Sequence, residues 1–243
     1  GLYYSADGKT WTQSNIASGT CYSIYNANGL WVANATGLYY STDGKTWTQS
    51  NIASGTFYSI YNANGIWVAG GTKILYYSTD GMTWTQSNVT SSERYYSVFY
   101  SNGIWVAGGS NVGLYYSADG MTWTQSNIAS GTFSSVLNAN GLWVAAGMYN
   151  IGPHYSTDGK TWIQSNVTNG NFFDVYNANG LWITVSSTGI YYSTDGKTWT
   201  RSNITSSVYR VYNANGIWVA GSYSGAGLYY SADGKTWTQS NIA

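Results

Sequence analysis

The chain has 243 residues, of which 18% are aromatic and only 7% charged, and its nine basic side chains balance nine acidic ones. A net charge near zero supplies no field that draws phosphates, which argues against nucleic acid and anionic membrane surfaces as partners. No apolar run approaches the roughly 20 residues that span a bilayer, so membrane insertion is not expected, and a lone cysteine, Cys21, excludes an intrachain disulfide.

The first predicted element is a hairpin. Gly1 to Gln13 places Asp7-Gly8 between aromatic and Thr-rich flanks. Two-residue Asp-Gly and Asn-Gly loops suit type I′ turns, whose central residues both need positive φ. A four-strand meander follows. Strand a is Tyr-Ser-Ile-Tyr (22–25), ending in an Asn-Gly turn, and strand b is Leu-Trp-Val-Ala (30–33). Strand c is Leu-Tyr-Tyr-Ser (38–41), ending at Asp43-Gly44, and strand d is Thr-Trp-Thr-Gln (46–49). Tyr, Trp, Val, Ile and Thr fit a pleated, half-buried surface. No segment shows a helical period, and Pro153 is the only proline.

The meander then repeats. The c–d segment recurs seven times, with its Trp at 11, 47, 84, 123, 162, 199 and 237, a spacing of 36 to 39 residues. The a–b segment recurs six times, with its Trp at 31, 67, 105, 143, 182 and 218. Four antiparallel strands in each period of this length predict an all-β protein, a β-propeller of four-stranded antiparallel blades, with 1–243 as a single repeat domain. Seven c–d hairpins against six a–b hairpins favour six blades, with seven as the alternative. Six blades leave one c–d pair over, and seven lack one a–b pair. Unpaired terminal hairpins can join another chain across an open edge, so an oligomer through them is one expectation. Gly1 opens inside a repeat motif, which reads as a piece of a longer protein.

Ser-x-Asp-Gly-Lys-Thr-Trp, as at Ser41 to Trp47, resembles the Asp-box (BNR-like) repeat of the sialidase-like propellers. Seven copies run the length of the chain, with Met82 and Met121 in place of Lys in two of them. The box is one residue shorter between Asp and Gly than the family pattern. Such tandem arrays also look like those of secreted bacterial surface proteins and phage tail proteins. The resemblance implies an extracellular, cell-surface or virion-surface location. It also implies that Asp7, Asp43, Asp80, Asp119, Asp158, Asp195 and Asp233 are folding elements at the turn between third and fourth strands. The chemistry agrees, because a carboxylate and a hydroxyl beside a tight turn satisfy its backbone N–H groups. Five boxes contain Gly-Lys-Thr, but none has a Gly five residues earlier, which excludes a phosphate-binding P-loop.

The repeats differ mainly in the b–c and d–a connections, and the rare residues collect there. Glu93 and Asp174 are the only acids outside the boxes, Arg94 and Arg210 are two of the three arginines, and His154 is the only histidine. A constant scaffold with one variable face, rich in aromatics, Ser, Asn and Gly, suggests recognition. The predicted ligand-binding residues are Tyr22, Tyr58, Arg94, Tyr95, Tyr149, His154, Phe173, Asp174, Tyr209, Arg210 and Tyr223. Tyrosine rings stack on the flat faces of sugars, and Arg and Asn bond their hydroxyls. The expected function is a non-catalytic binding module for a glycan or a protein surface partner. The alternatives are a structural segment of a fibre and a sialidase-like glycosidase.

Catalysis fits poorly. A glycosidase generally needs two carboxylates facing one sugar, and Glu93 and Asp174 lie about two repeats apart. The arginine cluster implied by a sialidase is one residue short, because Arg201 takes an outer, solvent-facing position. One histidine without an acid cluster supports neither a metal site nor a cofactor. Asn34, Asn88, Asn166 and Asn203 each begin an Asn-x-Thr glycosylation acceptor pattern, which chance explains in a chain this rich in Asn and Thr.

Overall fold

The computed structural model describes residues 1–222 and 227–241. Tyr223, one of the predicted ligand-binding residues, lies outside them. Contacts divide the chain into two compact units, one of Gly1–Ala107 with Tyr116–Thr124 and the other of Gly108–Tyr115 with Gln125–Ala243.

The first unit begins with the two-stranded hairpin β1 (Tyr3–Tyr4) and β2 (Thr12–Gln13). A four-stranded meander follows, in the order β3 (Ile24–Ala27), β4 (Leu30–Asn34), β5 (Leu38–Ser41), β6 (Thr48–Gln49). Next comes a six-stranded sheet of β7 (Phe57–Ala63), β8 (Ile66–Ser78), β9 (Thr85–Ser101), β10 (Ile104–Gly109), β11 (Leu114–Ser117) and β12 (Thr124–Gln125). The second unit holds three four-stranded meanders. They are β13 (Phe133–Ala139), β14 (Leu142–Gly147), β15 (His154–Ser156), β16 (Ile163–Gln164); β17 (Phe172–Ala178), β18 (Leu181–Ser186), β19 (Gly189–Ser193), β20 (Thr200–Arg201); and β21 (Arg210–Ala214), β22 (Ile217–Gly221), β23 (Leu228–Ser231), β24 (Thr238–Gln239).

The architecture is an all-β propeller, but its blade count corrects the expectation. The strands form five blade sheets plus the small hairpin, not six or seven blades. The difference arises where β8 and β9 each run through a connection that is a break elsewhere. Four other d–a connections carry a glycine at positive φ (Gly19, Gly55, Gly131, Gly170), which ends the strand, and the connection at 202–209 breaks without one. The connection at 88–94 reads Asn-Val-Thr-Ser-Ser-Glu-Arg, with no glycine, and stays extended. It pairs with β8 through Thr72↔Arg94 and Ile74↔Thr90. The C-terminal hairpin is likewise not unpaired, since β23 pairs with β22.

The two turn types also separate. The Asn-Gly turns are as expected, with Asn28 at φ 51° and Gly29 at φ 82°. The Asp-Gly segments are not two-residue hairpins. Pairing of β5 with β6 stops at Tyr40↔Thr48, so Ser41 to Trp47 form the loop, and only Gly44 within it has positive φ.

Cores lie between successive meanders. Val32 and Leu38 of the first pack against Phe57, Ile60, Trp67 and Trp84 of the next. In the second unit Ile183 and Ile190 pack in the same way against Val211, Trp218 and Trp237. Every box Trp from Trp47 to Trp237 is buried, whereas Trp11 is exposed. Burying a large apolar side chain contributes roughly 1.5–3 kcal/mol, so each repeated Trp adds to the core between meanders.

Candidate functional site

Strand a opens with two residues, at least one of them aromatic in every repeat, and the two have different fates. Phe57, Tyr95, Phe133 and Phe172 are buried in the core. The residue after each is displaced. The register slips between Phe57 and Ser59, between Phe133 and Ser135, and between Phe172 and Asp174. This is a β-bulge, which inserts one extra residue and re-aims its side chain. Tyr58, Ser134 and Phe173 are the inserted residues, and Tyr58 and Phe173 stay half-exposed.

In the first unit these rings form a row. Tyr22 and Tyr58 have centroids 5.2 Å apart, and Tyr58 and Tyr96 have centroids 5.3 Å apart. Tyr22 is 56% exposed. Arg94 is at the end of the row, where a hydrogen bond with Tyr96 and the neighbouring Tyr58 push its pKa up, so the guanidinium is a permanent cation. Tyr95 is corrected, because it is fully buried in the core position held elsewhere by Phe. Tyr96 is the surface ring that sequence reasoning missed. Aligning Tyr95-Tyr96 with Phe57-Tyr58 would have found it.

In the second unit Phe173 and Tyr209 stack in parallel, 4.0 Å apart and 9° from coplanar. Asp174 lies beside them and is mostly buried. Its Oδ1 accepts from Ser135 Oγ at 3.0 Å and its Oδ2 from the Val211 N–H at 3.3 Å. Arg210 Nη1 is 3.6 Å from Oδ1 and is itself largely exposed. Burial raises the Asp174 pKa, and the Arg210 charge opposes that. Asp174 takes a position that is serine in earlier repeats. There Ser23 Oγ accepts from the Ile60 N–H at 3.0 Å and Ser59 Oγ from the Val98 N–H at 3.1 Å. The carboxylate therefore serves a strand-to-strand bond as well as facing a 440 Å³ cavity lined by Tyr176, Arg210, Val211 and Tyr212.

Two predicted ligand residues fall elsewhere. His154 is on β15 in the core, edge-on to Phe133, with Nδ1 3.2 Å from the Gly152 carbonyl. Burial lowers its pKa. It is corrected from a surface ligand to a core residue, at a repeat position occupied elsewhere by Tyr39, Tyr76 and Tyr191, the last of which is also buried. Tyr149 is 65% exposed on its loop, and its N–H donates to Asn171 Oδ1 at 2.6 Å. Cys21 is half-buried at the position of Phe57, and burial pushes its thiol pKa up.

The box residues have internal work. Ser41 Oγ donates to Asp43 Oδ1 at 2.9 Å and accepts from the Gly44 N–H at 2.9 Å. The same Oδ1 accepts from the N–H groups of Lys45 at 2.7 Å and Thr46 at 2.8 Å. The pattern holds in all seven boxes, from Asp7 to Asp233. A second device had no reading in the sequence. Asn51 Nδ2 donates to the Trp84 carbonyl at 2.9 Å, and Asn51 Oδ1 accepts from the Trp84 N–H at 2.8 Å. Asn88, Asn166 and Asn203 make the same clasp to Trp123, Trp199 and Trp237. Asn34 is buried and accepts from the N–H groups of Tyr22 and Ser23. All four glycosylation-pattern asparagines thus have their side-chain amides engaged in the fold.

Among the described residues no group of three or more His, Cys, Asp or Glu side chains is placed to hold a metal ion. No protein-family model and no curated protein matches the chain. Solved structures do. A computationally designed protein, Ika8, matches with a TM-score of 0.68 at 10% identity, over 86% of this chain and 70% of its own. An ancestral GH74 enzyme matches with a TM-score of 0.71 at 14% identity, over 92% of this chain, which spans only 39% of that one. YCF48 bound to a D1 peptide matches with a TM-score of 0.64 at 18% identity, over 92% of this chain and 82% of its own. At these identities the likeness is one of fold.

Proposed function

We propose that the chain is a non-catalytic recognition module whose partner lies on the aromatic row of Tyr22, Tyr58 and Tyr96, with Arg94 at its end. The observation that carries this reading is the bulge, which lifts Tyr58 out of a strand whose neighbouring Phe57 is in the core. A row of half-exposed rings with phenol hydroxyls and one fixed cation suits a carbohydrate. Rings cover the apolar sugar face, and hydroxyls and guanidinium bond its rim. The neutral, polar surface of the chain fits an extracellular or cell-surface setting. The box turns are consistent with a sialidase-like, Asp-box ancestry. The carboxylates of the boxes are committed to backbone N–H groups, and Asp174 to a strand junction, which supports binding over hydrolysis.

A protein segment is the second reading. It is favoured by one comparison, the YCF48 structure with its bound peptide. A glycan array and a displayed peptide library, screened with the same purified chain, separate the two. Reproducible capture of one sugar class supports the carbohydrate reading. Capture of peptides alone supports the second, and two blank screens with folded protein reject both.

A further inference from the structure

One segment of the first unit departs from the repeat in several ways at once. Elsewhere a glycine precedes strand c, and the following d–a connection closes against it. A methyl group built on Gly37 would collide with the Ile52 carbonyl, on Gly113 with that of Ile128, and on Gly189 with that of Ile204. β8 has Ile74 at this position. The connection after it cannot close in that way. It runs extended beside β8 as an arm, with Ile74↔Thr90 and Thr72↔Arg94 paired.

The arm carries charge in a chain that has little. Lys73 and Arg94 are on it, against a single acid, Glu93. Both cations are exposed. Lys73 is next in sequence to Thr72, the Cα partner of Arg94. Paired strands lie about 5 Å apart, so two such long side chains can meet one group. Lys73 also has φ 73°. Among the described residues, the other non-glycine positions at positive φ are asparagines, which adopt that conformation readily, and Tyr149. A lysine there is strained, and strain of this kind collects at functional positions. The register slips between Thr72 and Ile74, so Lys73 is the bulged residue, and a bulge re-aims its side chain. Arg94 joins the arm to the aromatic row through its hydrogen bond with Tyr96, beside Tyr58.

We propose that this arm is the anion-binding end of the aromatic row, where Lys73 and Arg94 together hold a carboxylate or sulfate group carried by a glycan. The inference rests on the reading of the row as a carbohydrate surface. Tyr22, Tyr58 and Tyr96 cover apolar sugar faces. The planar Arg94 guanidinium receives two oxygens of the anion in paired N–H···O bonds, and Lys73 adds a compact point charge. Nine cations against nine acids give the chain no long-range pull on anions. Selection for the acidic sugar is therefore local to the arm.

A glycan array of matched neutral, uronate-bearing and sulfated forms tests this, read with wild type, Lys73→Gly, Arg94→Gln and the Tyr58→Ala, Tyr96→Ala double variant. Lys73→Gly suits the left-handed backbone, so it removes the charge without straining the arm. The expected result is a wild type that binds an acidic form about tenfold or more tighter than its neutral match. That preference weakens with added salt and is lost in both charge variants. The uronate and sulfated forms show which anion is held. Equal affinity for neutral and acidic forms, or a preference that persists in either charge variant, overturns the proposal and leaves the row standing. Acidic binding that is lost in the charge variants and unchanged in the double tyrosine variant overturns the row and leaves the arm. A folded wild type that binds nothing on the array overturns both.

Discussion

Asn127 closes both edges of its amide on the backbone of Trp162, donating from Nδ2 to the carbonyl at 2.9 Å and accepting from the N–H at 2.8 Å. The residues are 35 apart, one repeat, so a side chain of one meander completes the strand pattern of the next. The bonds are formed at the loop residue that also buries the indole, which ties local turn geometry to core packing. Asn127→Ala leaves two backbone groups without their partner. The expected loss is about 1–3 kcal/mol, read as a lower urea midpoint. Asn127→Asp keeps the acceptor and loses the donor, and its midpoint should fall between the two. A variant indistinguishable from wild type would show that the clasp contributes nothing net.

The box carboxylates give the fold an acid limit. Backbone N–H groups of Thr46 and Lys45, and then the Ser41 hydroxyl, hold Asp43 down to about 2. Asp7 is held at about 2 by the matching groups. A depressed folded-state pKa stabilises above the unfolded value, near 3.9, and that contribution is lost as pH falls through the folded value. Stability should therefore decline as pH drops from about 4 towards about 2. Asp43→Asn should flatten part of that decline. Equal slopes for wild type and variant in acid melting curves would contradict it.

His154 acts at higher pH. Burial lowers its pKa from the ordinary 6.5, so the unfolded chain takes up the proton first. Its contribution is intact above the unfolded value and is lost as pH falls below it. His154→Tyr installs the residue found at this position in other repeats, as at Tyr39 and Tyr191. The variant should melt higher than wild type at about pH 5, with a smaller difference at about pH 8. A pH-independent difference would mean that the effect is one of packing alone.

Asp174 has the opposite sign. Burial raises its pKa, so the folded state binds the proton more tightly and this group's contribution weakens as pH rises through that range. Asp174→Asn retains an acceptor for the Val211 N–H and removes the buried charge. Its melting temperature at neutral pH should match or exceed that of wild type. A large drop would mean that the Arg210 pair outweighs the burial cost.

Much of this was legible in the sequence. The alternation of Tyr, Trp, Val and Thr around Asn-Gly marked the strands and their order, and the Asn28-Gly29 turn has the expected left-handed pair. The box Asp as a turn element was legible too, because carboxylate and hydroxyl beside a glycine have few other uses. The blade count was not. It depended on whether the 88–94 connection stayed extended, which a missing glycine permits but does not dictate, since 202–209 lacks one and breaks; the deciding feature is a pairing partner 16 to 22 residues away. Tyr95 and His154 were misplaced for a related reason. Rarity in a repeat drew attention to them, whereas their repeat positions, those of Phe57 and of the buried Tyr191, had already assigned them to the core. Asn127 was hidden because a bond spanning a whole repeat leaves no local signature.

The central claim is that the Tyr22, Tyr58 and Tyr96 row is a binding surface. The most direct measurement compares the wild type with a Tyr58→Ala, Tyr96→Ala double variant on one glycan array, with melting curves taken alongside. Stacked rings contribute about 0.5–1.5 kcal/mol each beyond their area, so the account predicts capture of one sugar class by the wild type and a loss of at least tenfold in the variant, at a melting temperature close to wild type. Binding that survives in the folded variant, or none by the folded wild type, would contradict it.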